Sequence, residues 1–248
     1  YAQGPGDTWS KLADRLVEDV CGSRFGTLPI LMSEGDRKEL SEHIKAQRFM
    51  PGGRYLYYAG RPYKAYNNCY LLRAEEDTRE EWSAVTWRAM SCLMTGGGIG
   101  IDYSRLRGAG KALSRTGGTA SGPIPLMSAI NEIGRNVQQG GSRRSAIYAS
   151  LNWRHDDIDQ FLTIKNWTEE TKAAKLNNFN AWAPLDMTNI SVNYDDDAAF
   201  SEAGSNILAG NTIFQQNVRQ ALETGEPGFS FNFGAKQNHR ASDFEALW

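Results

Sequence analysis

Residues 69–107 read CYLLRAEEDTREEWSAVTWRAMSCLMTGGGIGIDYSRLR, and three patterns follow one another inside them. The apolar run Tyr70-Leu71-Leu72 marks a short buried strand that starts near Cys69. Trp82, Val85, Met90 and Leu93 then recur at helical steps behind a first turn rich in carboxylates, which predicts a helix from Glu80 to Met94. Thr95-Gly96-Gly97-Gly98 ends that helix. A strand, a helix and a glycine break in this order are the beginning of a β-α-β unit.

The alternation continues downstream. Pro123–Gln139, Asp156–Lys165 and Thr212–Thr224 fit helices, the last with Phe214, Val218 and Leu222 four residues apart. Ser145–Leu151 and Ile190–Val192 fit strands, and Glu226–Phe231 closes the series as a strand or loop. Upstream, Asp7–Val20 and Arg37–Arg48 have helical spacing before Pro51-Gly52-Gly53 breaks it, and a Tyr-rich stretch leads on to Asn67. Strands alternating with helices of this length imply an α/β fold with parallel pairing, preceded by a helical layer. No internal repeat or low-complexity tract is present.

Composition excludes several classes of function. A net charge of -2, from 27 basic and 29 acidic residues, gives no footprint for nucleic acid or an anionic membrane. No apolar run approaches the roughly 20 residues of a membrane span, and the first residues show no leader pattern, so a cytoplasmic protein is expected. Cys21, Cys69 and Cys92 are odd in number and far apart, unlike a disulfide framework. His43, His155 and His239 fall at no metal-ligand spacing, and no metal site is expected.

Glycine is concentrated: 12 of the 25 glycines fall between residues 95 and 141. Two clusters carry arginines, Gly96-Gly97-Gly98-Ile99-Gly100 before Arg105 and Arg107, and Gly140-Gly141-Ser142-Arg143-Arg144. Glycine lets backbone N–H groups approach a phosphate, and the guanidinium fork binds its oxygens. The pair reads as two nucleotide sites or as one nucleotide sensed by two loops; the alternative is a set of tight turns with solvated arginines. Neither cluster is a dinucleotide fingerprint or a Walker loop. Cys69 is either a redox thiol, which needs a partner, or a small buried apolar group.

Phe49-Met50-Pro51-Gly52-Gly53-Arg54, Asn68-Cys69, Gly96–Gly100, Thr116–Pro123 and Gln139–Arg144 occur in the order and spacing of ribonucleotide reductase large chains, which this sequence resembles over roughly residues 8 to 233. Residues 143–153 and 184–192 look most like the adenosylcobalamin-dependent, class II enzymes of bacteriophages. The resemblance implies a ten-stranded α/β barrel of two five-stranded halves. On this division, residues 1–50 are an N-terminal helical region, 51–233 the first half-barrel and 234–248 a divergent tail.

The resemblance also implies roles. Cys69 is the first of two cysteines that reduce the ribose 2′ position and end as a disulfide. Gly52, Gly53, Asn68 and Gly98 hold substrate. Glu76, Asp77, Thr78, Arg107 and Arg115 bind a deoxynucleoside triphosphate effector. The loop Gln139, Gly140, Gly141, Ser142 and Arg143 relays effector identity, with Gln139 and Arg143 making the contacts. Both arginine-bearing turns and Cys69 are expected to converge on one ribonucleotide pocket.

None of the three cysteines stands in the family's Asn-x-Cys-x-Glu radical motif. A second polypeptide is therefore expected to supply that motif, the partner thiol and most adenosylcobalamin contacts, with a thioredoxin-like or other dithiol as reductant. A homodimer is compatible with the family. If phage-encoded, the chain works in the host cytoplasm. Control of overall activity by ATP and dATP is not expected, whereas specificity control is. The rival expectation is a nucleotide-binding module, or a truncated chain, without catalysis.

Overall fold

Thr8 opens the first helix by accepting from the Lys11 backbone N–H at 3.3 Å, and Trp9–Cys21 follows as α1. Ser33 does the same for Asp36 at the start of α2, Glu34–Lys45. The computed structural model describes residues 2–22, 32–137, 145–201, 204 and 206–233, and the chain divides into two units, Tyr1–Asn68 and Cys69–Trp248.

In the first unit, Leu12, Leu16 and Val17 of α1 pack with Ile44 of α2. The Tyr-rich stretch is not simply a lead into a strand: Gly53–Tyr58 forms α3, and Leu56 and Ala59 join the same core. That packing carries the unit past residue 50 to Asn68. A helix this short has too few turns to show a period in sequence.

The second unit is built on five strands: β1 Cys69–Arg73, β2 Gly98–Asp102, β3 Ile147–Asn152, β4 Thr188–Tyr194 and β5 Gly228–Phe231. They pair in chain order, each parallel to the next. Right-handed crossovers between sequential neighbours all return on one face of the sheet. The crossovers contain α4 Arg79–Met94, α5 Ile124–Asn136, α6 Ile158–Thr163, α7 Glu169–Asn177, α8 Asp196–Ala199 and α9 Thr212–Thr224. Sequence periodicity misses α7 because none of its residues is buried, so it carries no apolar stripe.

One sheet face makes the core. Tyr70, Ile99, Ile101, Ile147, Ala149, Leu151, Ile190, Val192 and Tyr194 point to it and pack with Val85, Ala89 and Leu93 of α4, Met127 and Ile130 of α5, and Phe161 of α6. Gly134 lets α5 lie close, since a Cβ there would stand 2.3 Å from Ile147 Cδ1.

A buried charge cluster fastens the entrance of β4. Asp186, whose side chain is fully buried, is paired with both Arg135 of α5 and Lys175 of α7, and Asn131 Nδ2 donates to it at 3.1 Å. Asn131 Oδ1 in turn accepts from Met187 N and Thr188 Oγ1, each at 2.9 Å. Burial pulls the Asp186 carboxyl upward, but the Lys175 ammonium, the Asn131 amide and the Arg135 guanidinium outweigh it and hold it below its ordinary 3.8. A depressed carboxyl contributes stability that is present above 3.8 and lost as pH falls through its folded value. Asp186→Asn is expected to cost about 3–5 kcal/mol at neutral pH, because two cations are left short of their counter-charge. Urea midpoints followed downward from neutral to about pH 3 should fall more steeply for the parent than for the variant; parallel curves would refute the linkage.

Candidate active site

The second face of the sheet follows from the same two-residue alternation. Registers pair Cys69 with Gly98, Leu71 with Gly100, Gly100 with Tyr148, and Tyr148 with Asn189. Higher up come Arg73, Asp102, Ser150, Ser191 and Gly228, then Asn152, Asn193 and Ser230. These residues point away from the helices, and most are small or polar. Parallel sheets ordinarily bury both faces; here one face belongs to the hydrophobic core and the other to small and polar side chains.

Cys69 stands at the N-terminal end of this face. It is exposed, whereas Cys92 is buried and Cys21 half-buried, and burial pushes both of those thiols up. Gly98 lies beside it in register and presents no side chain. Asn68 directly precedes the thiol. In the first unit, Gly52 caps the N-terminus of α3 and Gly53 is that helix's first residue.

The glycine stretch expected to cradle phosphate is instead strand β2. Ile99 N donates to Ala146 O at 2.9 Å, so its N–H belongs to the sheet ladder rather than to an anion nest. Ile99 and Ile101 fill the core between glycines, which makes the stretch a strand. The turn is confined to Gly96, at φ 87°, and to Gly97, where a Cβ would strike the Tyr70 ring at 2.3 Å.

This strand carries Arg105 and Arg107 to the opposite end of the sheet from Cys69. β1 runs five residues from Cys69 to Arg73, and strands rise about 3.3 Å per residue, so the two ends lie roughly 13 Å apart. The first arginine turn and the thiol therefore stand at opposite ends of the sheet rather than side by side. The second turn, with Gln139, Gly140, Gly141, Ser142 and Arg143, lies outside the described residues, as does the tail 234–248.

At the C-terminal end, Arg107 forms an ion pair with Asp77 and also donates to Asp77 O and Ala112 O, each at 3.1 Å. Glu75, which the sequence reading passed over, takes Arg73 through two bonds of 2.8 Å and Arg105 at 2.7 Å. Thr78 caps α4 by accepting from Glu81 N at 3.1 Å, while Glu76 is exposed. Arg115 is exposed within a small hairpin bridged by Ala112 and Thr119. His155 ties this end together: its Nε2 meets Leu106 O at 2.7 Å and its Nδ1 accepts from Asp157 N at 3.0 Å.

Asp102 closes the inner part of the same end. Its Oδ1 accepts from Ser104 Oγ at 2.5 Å, Asn193 Nδ2 at 3.2 Å and Ser150 Oγ at 3.3 Å, and Asn193 also donates to Ser150 at 3.0 Å. The cluster belongs to the polar phase of three strands, but no spacing in sequence joins residues on separate strands.

A cavity of about 410 Å³ opens beyond β3 and β4, walled by Trp153, Ala198, Ile207 and Ile213. It lies at the end of the strands away from Cys69, so it gives a corrin no fit beside the thiol. Among the described residues no group of His, Cys, Asp and Glu could hold a metal ion, and no helix is long and apolar enough to cross a membrane.

Residues 67–201 match the family model described as ribonucleotide reductase, barrel domain. The vitamin B12-dependent ribonucleoside-diphosphate reductase of Mycobacterium tuberculosis is 35% identical over 165 residues, 65% of this chain and 23% of that protein. The ribonucleoside-diphosphate reductase large subunit of Trypanosoma brucei brucei is 30% identical over 149 residues, 59% of this chain and 18% of that protein. The chain thus spans about a fifth of the length of these curated relatives. In fold, it is similar to the class Id ribonucleotide reductase alpha subunit of Actinobacillus ureae, with a TM-score of 0.68 at 16% identity, over 92% of this chain and 38% of that one. The match to the barrel-domain model runs from the residues before β1 through α8, and on it the chain belongs to the ribonucleotide reductase family.

Proposed function

We propose that this chain is the N-terminal part of a ribonucleotide reductase catalytic subunit, inactive by itself and completed by a second polypeptide that carries the rest of the barrel. The observation that supports it is the placement of Cys69: an exposed thiol beside a glycine on the polar face of a parallel sheet, inside the stretch that matches the barrel domain.

In this reading Cys69 and a partner thiol from the second half supply two electrons and two protons. The ribose 2′ C–O bond breaks, its oxygen leaves as water, a C–H bond replaces it, and the two sulfurs join as a disulfide. A thioredoxin-like or other external dithiol restores them. Gly98 leaves room for the sugar; Gly52, Gly53 and Asn68 keep the substrate role that the family resemblance implies for them. Adenosylcobalamin, when bound by the second half, would supply the radical. The vitamin B12-dependent relative supports the class II assignment, and the motifs at 143–153 and 184–192 support a bacteriophage type acting in the host cytoplasm.

A deoxynucleoside triphosphate effector is assigned to Asp77, Thr78, Glu76, Arg107 and Arg115, with residues 139–143 passing its identity to the substrate base. The Arg107–Asp77 pair is complete within this chain. That feature also favours a second reading, a nucleotide-binding module without catalysis.

Mixing the chain with a second half that carries Asn-x-Cys-x-Glu, adenosylcobalamin and a dithiol should yield deoxyribonucleotide only when both parts are present. Cys69→Ser should abolish turnover and leave nucleotide affinity within about twofold, since it removes one sulfur and no phosphate contact. A folded complex that never turns over would sink the split-enzyme reading in favour of the binding module. Arg107→Ala is expected to weaken effector binding by roughly 1.5–3 kcal/mol in calorimetry, the worth of a charge-assisted contact to phosphate. Equal weakening by Cys69→Ser would contradict the separate roles.

A further inference from the structure

One layer of the polar sheet face is left unbonded. Leu71, Gly100, Tyr148 and Asn189 are consecutive register partners across β1 to β4, one layer above Cys69 and Gly98. Parallel partners share a face, so all four side-chain positions stand on the side of the thiol. At Gly100 a Cβ would meet Tyr148 Cδ1 at 3.4 Å and Leu71 Cδ1 at 3.7 Å. The tyrosine ring and the leucine methyl thus lean in over a bare backbone from both sides.

Tyr148 is half-buried and Asn189 exposed, and neither the phenol nor the amide has a hydrogen-bond partner among the described residues. The layers above differ: Asp102 and Ser150 of the next one bond each other and Asn193 of the one beyond. Polar groups destined for burial find partners; the phenol and the amide therefore mark where a polar guest completes the surface. A dry cover of apolar side chains from the rest of a barrel would strand both groups at a cost in free energy.

We propose that Tyr148 and Asn189 form the base-recognition platform of the ribonucleotide site, the ring stacking on the base and the amide bonding its edge, while the ribose lies over Gly98 next to Cys69. This rests on the reading of Cys69 as the ribose-reducing thiol. Tyr148 stands two strands over and one layer up from Cys69, about 10 Å across the strands and about 7 Å along them. Two inward-reaching side chains and a nucleoside bridge that span. Every base has a π face, so the ring gives affinity without choice. The Asn189 amide offers both a donor and an acceptor, and it ranks the bases.

The test is protection of Cys69 in the full chain from alkylation by iodoacetamide, read peptide by peptide, with Cys21 and Cys92 as internal references. The probes are the four ribonucleoside diphosphates and ribose 5-phosphate, which has no base. Nucleoside diphosphates should protect wild-type Cys69. Tyr148→Leu should raise the half-protecting concentration of every nucleotide about tenfold, the loss of one stacked base, and leave that of ribose 5-phosphate unchanged. Tyr148→Phe should restore protection. Asn189→Ala, at an exposed position that folding tolerates, should compress the differences among the four bases. If nucleotides protect both variants at wild-type concentrations and in wild-type rank, the platform is wrong and the role of Cys69 survives. If no nucleotide protects the wild-type thiol, both fall.

Discussion

The division of the parallel sheet into one apolar and one polar face is the constraint on which the other features of the second unit depend. Five strands in chain order, all parallel, force every crossover onto the same side. Alternate residues then have opposite fates. Ile99, Ile101, Leu151, Ile190 and Val192 are buried, each contributing about 1.5–3 kcal/mol. Their neighbours Gly98, Gly100, Asp102, Ser150, Asn189 and Asn193 cannot repay that way. An accessible thiol needs a face like the second one, not already filled. Cys69 has it because it falls in the polar phase of β1, one residue before the core residue Tyr70.

The strands also have direction, and the two ends differ in chemistry. The end where strands begin carries the thiol, the bare backbone of Gly98 and, at the entrance to β4, the Asp186 cluster that binds α5, α7 and the backbone before Thr188 into one block. The other end carries Arg73, Arg105 and Arg107, each already matched to Glu75 or Asp77. Paired arginines of this kind exchange one anion for another rather than adding a bare charge. Any anion approaching Arg107 would have to compete with Asp77.

Much of this was legible in sequence where a period existed. The helix from Arg79 to Met94 and the helix from Thr212 to Thr224 follow their apolar spacing, and the alternation of elements gave the parallel sheet. Helix α7 has no buried side to betray it, and α3 is too short. The glycines between 96 and 100 are ambiguous in sequence for a physical reason: glycine marks both a phosphate loop and a strand that leaves space, and only the isoleucines between them decide. As core residues those isoleucines carry Arg105 and Arg107 to the far end of the sheet. Glu75 and the Asp102–Ser150–Asn193 cluster depend on register between strands, which one sequence does not state.

The edge strands and the polar face are where the sheet stays open among the described residues. β1 and β5 each have one strand neighbour within the described sheet, and near β5 the rings of Phe229, Phe231 and Phe233 remain partly exposed around Tyr194 and Phe214. Cys69 is exposed on the polar face. An element that paired with an edge strand would satisfy its free backbone N–H and C=O groups, and one that lay on the polar face would cover the thiol. The two needs differ in chemistry, since the edges ask for backbone partners and the face for small or polar ones.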